Sequence, residues 1–165
     1  MTPVNRSSPG VSFPLREKAR TSRLTHVGQV AGNVDWQALR QAAVAASANS
    51  YSPYSNFPVG VAGYVDDGRL VSGANVENAS YGLTLCAECS MISELYATGG
   101  GRLVAVHCVD GNGDALMPCG RCRQLLYEHG GPELEVMTPE GVLTMAQILP
   151  QAFGPGDLKE RKAGG

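Results

Sequence analysis

The stretch PCGRC, residues 118–122, holds two cysteines three positions apart, and the stretch CAEC, residues 86–89, holds a second such pair. A helix is predicted to begin at each stretch, with Thr84 as the cap of one helix and Pro118 as the first helical residue of the other. The positive end of a helix stabilises thiolates, and cysteines at this spacing form half of a zinc site. Because two pairs are present, the pattern favours zinc over a redox dithiol.

The spacing leaves two kinds of zinc site open. In a closed structural site all four cysteines of the two pairs bind the metal, whereas in an open site three thiolates bind and water occupies the fourth position. Glu88 favours the open site, because a carboxylate beside a metal-bound water can move protons between that water and a substrate. The 29 residues between Cys89 and Cys119 also exceed the usual spacing of four-cysteine zinc ribbons.

Composition indicates one globular domain without a surface for polyanions. Of the 165 residues, 43% are hydrophobic and 17% are charged, which is not the balance of a disordered chain. The 13 basic and 15 acidic residues argue against nucleic-acid binding, which uses an excess of Lys and Arg. No apolar run is long enough for a membrane span, and no apolar leader marks the chain for secretion. We therefore expect a soluble, cytoplasmic protein that binds neither nucleic acid nor membrane.

The N-terminal residues differ in composition from the rest. Residues 1–32 carry five basic side chains and one acidic side chain, without a regular apolar period. We expect this segment to be a disordered extension, with a transit peptide as the alternative for a terminus rich in Arg and Ser. The packed domain is expected to cover residues 33–157, and residues 158–165 to form a flexible tail.

Hydrophobic periodicity predicts alternating helices and strands, which is typical of a layered α/β fold. Asp35 is predicted to cap the first helix, and Asp66, Asp67 and Gly68 to turn a hairpin. Cys108 stands alone in an apolar stretch and is predicted to be a buried core thiol. The predicted helices cover residues 35–49, 85–98, 118–130 and 144–149, and the predicted strands cover residues 59–65, 70–76, 103–109 and 134–137, with a turn at 138–141.

The residues around the cysteines resemble those of the small, homotetrameric, zinc-dependent cytidine deaminases. Zinc deaminases combine three His or Cys ligands with a Glu that does not bind the metal and a PCxxC signature. The resemblance covers about residues 34–155 and implies a three-layer α/β/α fold with a mixed central sheet. The matching motifs are YSNFPVG (54–60), NVENASYGLT (75–84), CAE (86–88), PCGRCRQ (118–124) and LPQAFGP (149–155).

The resemblance also implies the reaction, which is hydrolytic deamination of cytidine and deoxycytidine to uridine and deoxyuridine with release of ammonia, a step of pyrimidine salvage. By the same match, Cys86, Cys119 and Cys122 bind one Zn²⁺ per subunit, and no other cofactor is needed. Zinc makes its bound water acidic enough to react near neutral pH. Glu88 is implied to protonate ring nitrogen N3 and then to pass the second proton of the water to the leaving amine.

Further matched residues are implied to hold the substrate. Asn75 and Glu77 correspond to contacts with the ribose hydroxyls, which both donate and accept hydrogen bonds. The Ala87 backbone corresponds to a contact with the base, and Phe57 to an aromatic near it. The other matched aromatics line the site, and some reach it from a neighbouring subunit, as Phe153 does across the interface. The implied substrate residues are Tyr54, Phe57, Asn75, Glu77, Tyr81, Ala87 and Phe153.

Two alternative functions stay open, and the net charge of the zinc site needs a counterpart. A sister deaminase would act on another aminated nucleoside, such as blasticidin S, and a structural zinc module would use Cys89 as a fourth ligand. In the three-ligand site, three thiolates and one Zn²⁺ sum to a charge of −1. We expect the helix N-termini, together with Arg121 or Arg123, to offset this charge.

Overall fold

The structure is a computed structural model that describes residues 34–162 of the chain. The expected extension, residues 1–32, lies outside the described residues, so the predicted domain limits stay a prediction. Across the described range, none of the helices combines the length and apolarity needed to cross a membrane. The elements are α1 (Trp36–Ser47), β1 (Val59–Val65), β2 (Leu70–Ala74), α2 (Ala87–Ala97), β3 (Leu103–Asp110), α3 (Gly120–Gly130), β4 (Glu135–Thr138), β5 (Gly141–Thr144), α4 (Met145–Ile148) and α5 (Pro155–Lys162).

The five strands form one sheet in the order β2-β1-β3-β4-β5. The pairs β2–β1, β1–β3 and β4–β5 are antiparallel, whereas β3 and β4 are parallel. Between β3 and β4 the chain crosses over through α3. This crossover returns the chain to the edge of the sheet at which β3 begins, so β4 runs parallel to β3. The prediction of a mixed central sheet is therefore confirmed.

Helices cover both faces of this sheet. On one face, Leu39 and Ala43 of α1 pack against Ala62 and Val109. On the other face, α2 and α3 bury their apolar sides against residues of β1 and β3, including Val61. Strand β1 is consequently buried on both sides, which explains its continuous apolar sequence. The prediction of three α/β/α layers is confirmed.

Two glycines let the helices approach the sheet closely. A Cβ atom at Gly60 would lie 1.9 Å from the carbonyl oxygen of Ala43, and one at Gly73 would lie 2.4 Å from the backbone nitrogen of Met91. Larger residues at these two positions would push α1 and α2 away from the strands. Gly73 therefore sets the position of α2, the helix that carries Glu88.

Most predicted elements are present, and the differences have local causes. Asp35 caps α1 by accepting a hydrogen bond from the Ala38 N–H at 2.9 Å, as predicted. Thr144 opens α4 through a capping box with Gln147, also as predicted. The sequence analysis missed β5, because this strand has only four residues and the first of them, Gly141, belongs to the predicted turn. It also missed α5, whose polar sequence has no apolar period, and which includes residues 158–162 of the segment expected to be a tail.

Candidate metal centre and active site

The first turns of α2 and α3 bring three cysteines together. The two helices pack side by side on one face of the sheet, so that their N-termini meet. The ligand atoms of Cys86, Cys119 and Cys122 all lie within 4.8 Å of one another. Cys122 is buried, Cys86 is half-buried and Cys119 is exposed, so the cluster is closed towards the core and open on the Cys119 side.

Both helices begin later than the sequence predicted, and this difference shapes the centre. The prediction that Thr84 caps α2 is wrong, because the N-cap of α2 is Cys86. Pro118 is not the first helical residue of α3, because Cys119 is the N-cap and the helix starts at Gly120. Each N-cap cysteine has an extended backbone (φ −67°, ψ 157° and φ −63°, ψ 166°) and makes no side-chain capping hydrogen bond. Their sulfurs therefore project off the helix ends and are available to a metal.

The donor set fits Zn²⁺. Three sulfurs in one cluster are typical zinc ligands, and the open side leaves room for a fourth, non-protein ligand. Burial raises the pKa of Cys86 and of Cys122, and the nearby Glu88 carboxylate raises both further. The thiols of Cys86 and Cys122 therefore keep their protons at neutral pH, and a metal must displace those protons when it binds. The pKa of Cys119 is instead lowered, because hydrogen bonds from Cys122 and Cys86 outweigh its partial burial.

Glu88 lies at the inner side of the cluster. It is only 3% exposed, and its Oε2 atom is 3.1 Å from Sγ of Cys122. Two residues two positions apart within a helix point to different sides of it. Because Cys86 is the cap rather than a helical residue, its sulfur and the Glu88 carboxylate reach the same space. Cys108 is buried behind them, as predicted, and burial together with Glu88 raises the pKa of its thiol.

Cys89 has a different partner. Its sulfur accepts a hydrogen bond from Nη2 of Arg121 at 3.2 Å, and it is not a member of the three-cysteine cluster. This arrangement does not favour the closed four-cysteine site. Arg123 is occupied elsewhere, because its Nε donates to the Pro118 carbonyl at 2.8 Å and its Nη1 to the Ile148 carbonyl at 3.2 Å.

Asn75 joins the loop of residues 50–58 to the edge of the centre. Val76 exchanges two backbone hydrogen bonds of 2.9 Å with Leu85, which places Asn75 beside the chain that enters α2. The Asn75 Oδ1 atom accepts from the Val59 N–H at 2.8 Å and from the Ser50 hydroxyl at 2.6 Å. Its Nδ2 atom donates to the Phe57 carbonyl at 3.0 Å. One N–H of the amide remains for a ligand, so Asn75 can donate to a ligand but has no free acceptor.

Glu77 holds the same loop from its other end. Its Oε2 atom accepts from the Tyr54 N–H at 2.9 Å and from the Ser55 N–H at 3.2 Å. Hydrogen bonding from Ser55 and from Tyr54 lowers the pKa of this carboxyl, so Glu77 is an anion at neutral pH. Both of these N–H groups bind Oε2, which leaves Oε1 as an acceptor for a ligand.

The aromatic residues singled out from the sequence are exposed. The rings of Tyr54 and Tyr81 meet edge to face with centroids 6.0 Å apart. Phe57 is 49% exposed, Tyr81 76% and Phe153 54%. The carbonyl of Phe153 accepts from Gln124 Nε2 at 2.8 Å, which ties the C-terminal segment to the helix that carries Cys122. Ala87, by contrast, is fully buried as the first residue of α2.

Two features of the site escaped the sequence analysis. The first is Ser50, whose hydroxyl fixes the Asn75 amide, and no local pattern distinguishes this serine from the others in its loop. The second is the contact between Cys89 and Arg121, which joins residues 32 positions apart. The charge sum of the zinc centre did single out Arg121, but it could not separate Arg121 from Arg123.

Comparisons with known proteins agree with this geometry. The family model described as the cytidine and deoxycytidylate deaminase zinc-binding region matches residues 34–138. A cytidine deaminase from Mycobacterium tuberculosis (strain ATCC 25618 / H37Rv) is 58% identical over 131 residues, which cover 79% of this chain and 98% of the relative. One from Halalkalibacterium halodurans is 36% identical over 132 residues, which cover 77% of this chain and 100% of the relative.

Solved structures show the same fold. The crystal structure of cytidine deaminase from Mycobacterium leprae is 82% identical, with a TM-score of 0.72 over 72% of this chain and 100% of that chain. That of cytidine deaminase from Burkholderia pseudomallei is 41% identical, with a TM-score of 0.66 over 73% of this chain and 100% of that chain. By its sequence, its sheet topology and its cluster of three cysteines, this chain belongs to the cytidine and deoxycytidylate deaminase family.

Proposed function

We propose that this protein catalyses the zinc-dependent hydrolytic deamination of cytidine and deoxycytidine to uridine and deoxyuridine, with release of ammonia. The observation that carries the proposal is the buried Glu88 carboxylate, 3.1 Å from a cysteine of a cluster that is open on one side. A closed structural site has no use for a buried carboxylate at this point, and Cys89 is occupied by Arg121.

Cys86, Cys119 and Cys122 would hold one Zn²⁺ per chain as thiolates. When bound, zinc supplies a water that is acidic enough to react near neutral pH. Water adds at C4 of the pyrimidine, and both of its protons pass through Glu88, one to ring nitrogen N3 and the other to the leaving amino group. The C4–N bond breaks and ammonia leaves, so one carboxylate serves as the base that takes each proton from the water and then as the acid that delivers it.

The substrate sugar is proposed to bind between Asn75 and Glu77. The free N–H of Asn75 donates, and the free oxygen of Glu77 accepts. A single sugar hydroxyl can satisfy both groups at once, because it accepts one hydrogen bond and donates another. This complementarity needs no second hydroxyl and supports activity on both ribosides and deoxyribosides. The Ala87 backbone and Phe57 are proposed to contact the base.

We further propose a homotetramer with shared active sites. Tyr81, Leu83 and Phe153 are large apolar side chains that remain mostly exposed near the site. Exposed apolar groups of this size mark a surface that another protein chain covers when they are contiguous. Tyr54, Tyr81 and Phe153 would then line the site, some of them from the neighbouring subunit. A cytoplasmic role in pyrimidine salvage is the proposed setting.

The experiment that tests the function is conversion of cytidine to uridine by the purified, zinc-loaded protein, followed by ultraviolet absorbance. Glu88→Gln keeps the size of the side chain but cannot carry a proton, so its turnover should fall by at least about 100-fold. Asp67→Asn, on the surface hairpin, serves as the control and should keep parental turnover. No conversion by the zinc-loaded parent would refute the proposed reaction, and blasticidin S would then be the next substrate to assay.

A further inference from the structure

Two residues other than glycine have a left-handed backbone within residues 34–162, and each lies just before a phenylalanine of the proposed site. Asn56 has a φ of 54° and directly precedes Phe57, and Gln151 has a φ of 57° and lies two positions before Phe153. Unfavourable backbone conformations persist only where the surroundings impose them, and they cluster at functional sites. We propose that Asn56 is a positioning residue whose left-handed backbone orients the Phe57 ring towards the nucleoside base, an inference that rests on the proposed function.

The chain before Asn56 forms a single helical turn, which Asn56 ends. The Ser52 carbonyl accepts a hydrogen bond from the Asn56 N–H at 3.0 Å and so closes the turn. Glu77 holds the turn from outside, because its Oε2 atom accepts from the N–H groups of Tyr54 and Ser55 at 2.9 and 3.2 Å. Helical turns commonly end at a left-handed residue, which is usually Gly and sometimes Asn. The residue type at this position therefore suits the conformation that the loop imposes on it.

The backbone of Phe57 is fixed on both sides, although its ring is not packed into the core. The Phe57 N–H donates to Oγ of Ser55 at 3.0 Å, and the Phe57 carbonyl accepts from Nδ2 of Asn75 at 3.0 Å. Pro58 restricts the residue before it to extended conformations, and its ring packs so closely on Gly111 that an added Cβ there would lie 2.7 Å away. The ring itself remains 49% exposed. A rigid backbone thus presents an exposed aromatic ring, which is the arrangement expected of a ligand contact.

The conformation of Asn56 sets the direction in which the chain enters Phe57. A right-handed or extended backbone at this position would redirect the chain and move the ring out of its place. Alanine disfavours the left-handed region, and a β-branched residue disfavours it more strongly. Each such substitution lowers the fraction of molecules whose ring is in position, and the affinity for the substrate falls with that fraction. The cysteine cluster and Glu88 lie on other segments of the chain, so the chemical step should be unaffected.

The test compares Asn56→Gly, Asn56→Ala and Asn56→Val in steady-state deamination of cytidine by the zinc-loaded protein. Glycine adopts the left-handed conformation without steric cost, so Asn56→Gly should keep KM within about twofold of the parent. Asn56→Val should raise KM by about 5- to 20-fold, with Asn56→Ala between the two, while kcat stays within about twofold. If the Asn56 side chain itself contacted the substrate, glycine would raise KM as much as alanine does, and that result would overturn the proposal.

Phe57→Ala completes the experiment as a double-mutant cycle. In this background Asn56→Val should raise KM no further, because the ring that it misplaces is absent. Hydrogen exchange of the segment 52–59, measured without substrate, should be faster in Asn56→Val than in the parent and unchanged in Asn56→Gly.

Three results would each overturn the proposal. The first is a parental KM in Asn56→Val with only its urea midpoint lowered, the second is an undiminished effect of Asn56→Val in the Phe57→Ala background, and the third is parental hydrogen exchange in Asn56→Val. A parent that binds zinc but does not convert cytidine would instead refute the proposed function.

Discussion

Replacing Asn75 with alanine should destabilise the fold as well as weaken substrate binding, because most of the Asn75 amide is used within the protein. The change removes three hydrogen bonds of 2.6–3.0 Å, to Ser50, Val59 and Phe57. Each bond contributes about 1 kcal/mol, and the Val59 N–H left without an acceptor adds about 1–2 kcal/mol. The free energy of unfolding should therefore fall by about 4–5 kcal/mol.

Asn75→Asp provides a graded comparison. The carboxylate can still accept from Val59 and Ser50, but it cannot donate to the Phe57 carbonyl, so about 1–2 kcal/mol should be lost. Ser50→Ala removes only the 2.6 Å bond and should cost about 1 kcal/mol. The expected order of stability is thus parent, then Ser50→Ala or Asn75→Asp, and Asn75→Ala last.

The assay is urea unfolding followed by circular dichroism. All variants must be compared at one protein concentration and one zinc concentration, because assembly and bound metal both shift apparent stability. If Asn75→Ala unfolded at the same urea concentration as the parent while its KM for cytidine rose, Asn75 would act on the substrate only. That result would refute the structural role assigned to its amide.

Three further predictions concern the buried His107, the several hydrogen bonds of Arg69 and the proposed zinc centre. Burial lowers the pKa of His107, which is 4% exposed. As pH falls below about 6.5, the unfolded chain takes up a proton before the folded chain does, so the free energy of unfolding decreases in this pH range. His107→Phe should make the free energy of unfolding less dependent on pH in the same range. An unchanged dependence on pH would contradict this prediction. Arg69 pairs with Asp67 at 2.6 Å and also donates to the Thr98 and Gly100 carbonyls at the end of α2. Arg69→Ala should therefore lower the free energy of unfolding by about 1–3 kcal/mol. Asp67→Ala should lower it by less, because it removes only the ion pair. Removal of zinc with a chelator should lower the melting temperature by several degrees, since the metal joins α2 to α3, and re-addition should restore it.

Much of the fold could be predicted because local patterns and tertiary packing agree. The apolar stretches that became β1 and β3 are buried on both faces, and their composition was enough to predict a strand at each of them. The Asp35 side chain accepts from the Ala38 N–H at the start of α1, and the Gln147 side chain accepts from the Thr144 N–H at the start of α4, so both caps act within three residues. β5 and α5 were missed because neither has an apolar face long enough to give a period.

For the site, the residue types indicated the chemistry. Which of these side chains meet in space could be seen only in the folded chain. Four cysteines and a glutamate within two short motifs favoured an open zinc centre over a closed one, and the resemblance to the family selected the open centre and its three ligands. The sequence did not show whether Cys86 is an N-cap or a helical residue. Its position as the N-cap of α2 brings its sulfur and the Glu88 carboxylate into the same space. Likewise, two arginines were equal candidates for balancing the charge, and only one of them reaches a sulfur.

The sequence by itself therefore determined the layered α/β class, the metal-binding residue types and the family, because these depend on composition and on spacing along the chain. The tertiary structure alone decided which cysteine stands outside the cluster and how the Asn75 amide is used. It also decided which helix ends meet. Those outcomes depend on the packing of α2 and α3 against one face of the sheet, which joins residues more than 30 positions apart through contacts that no local pattern encodes.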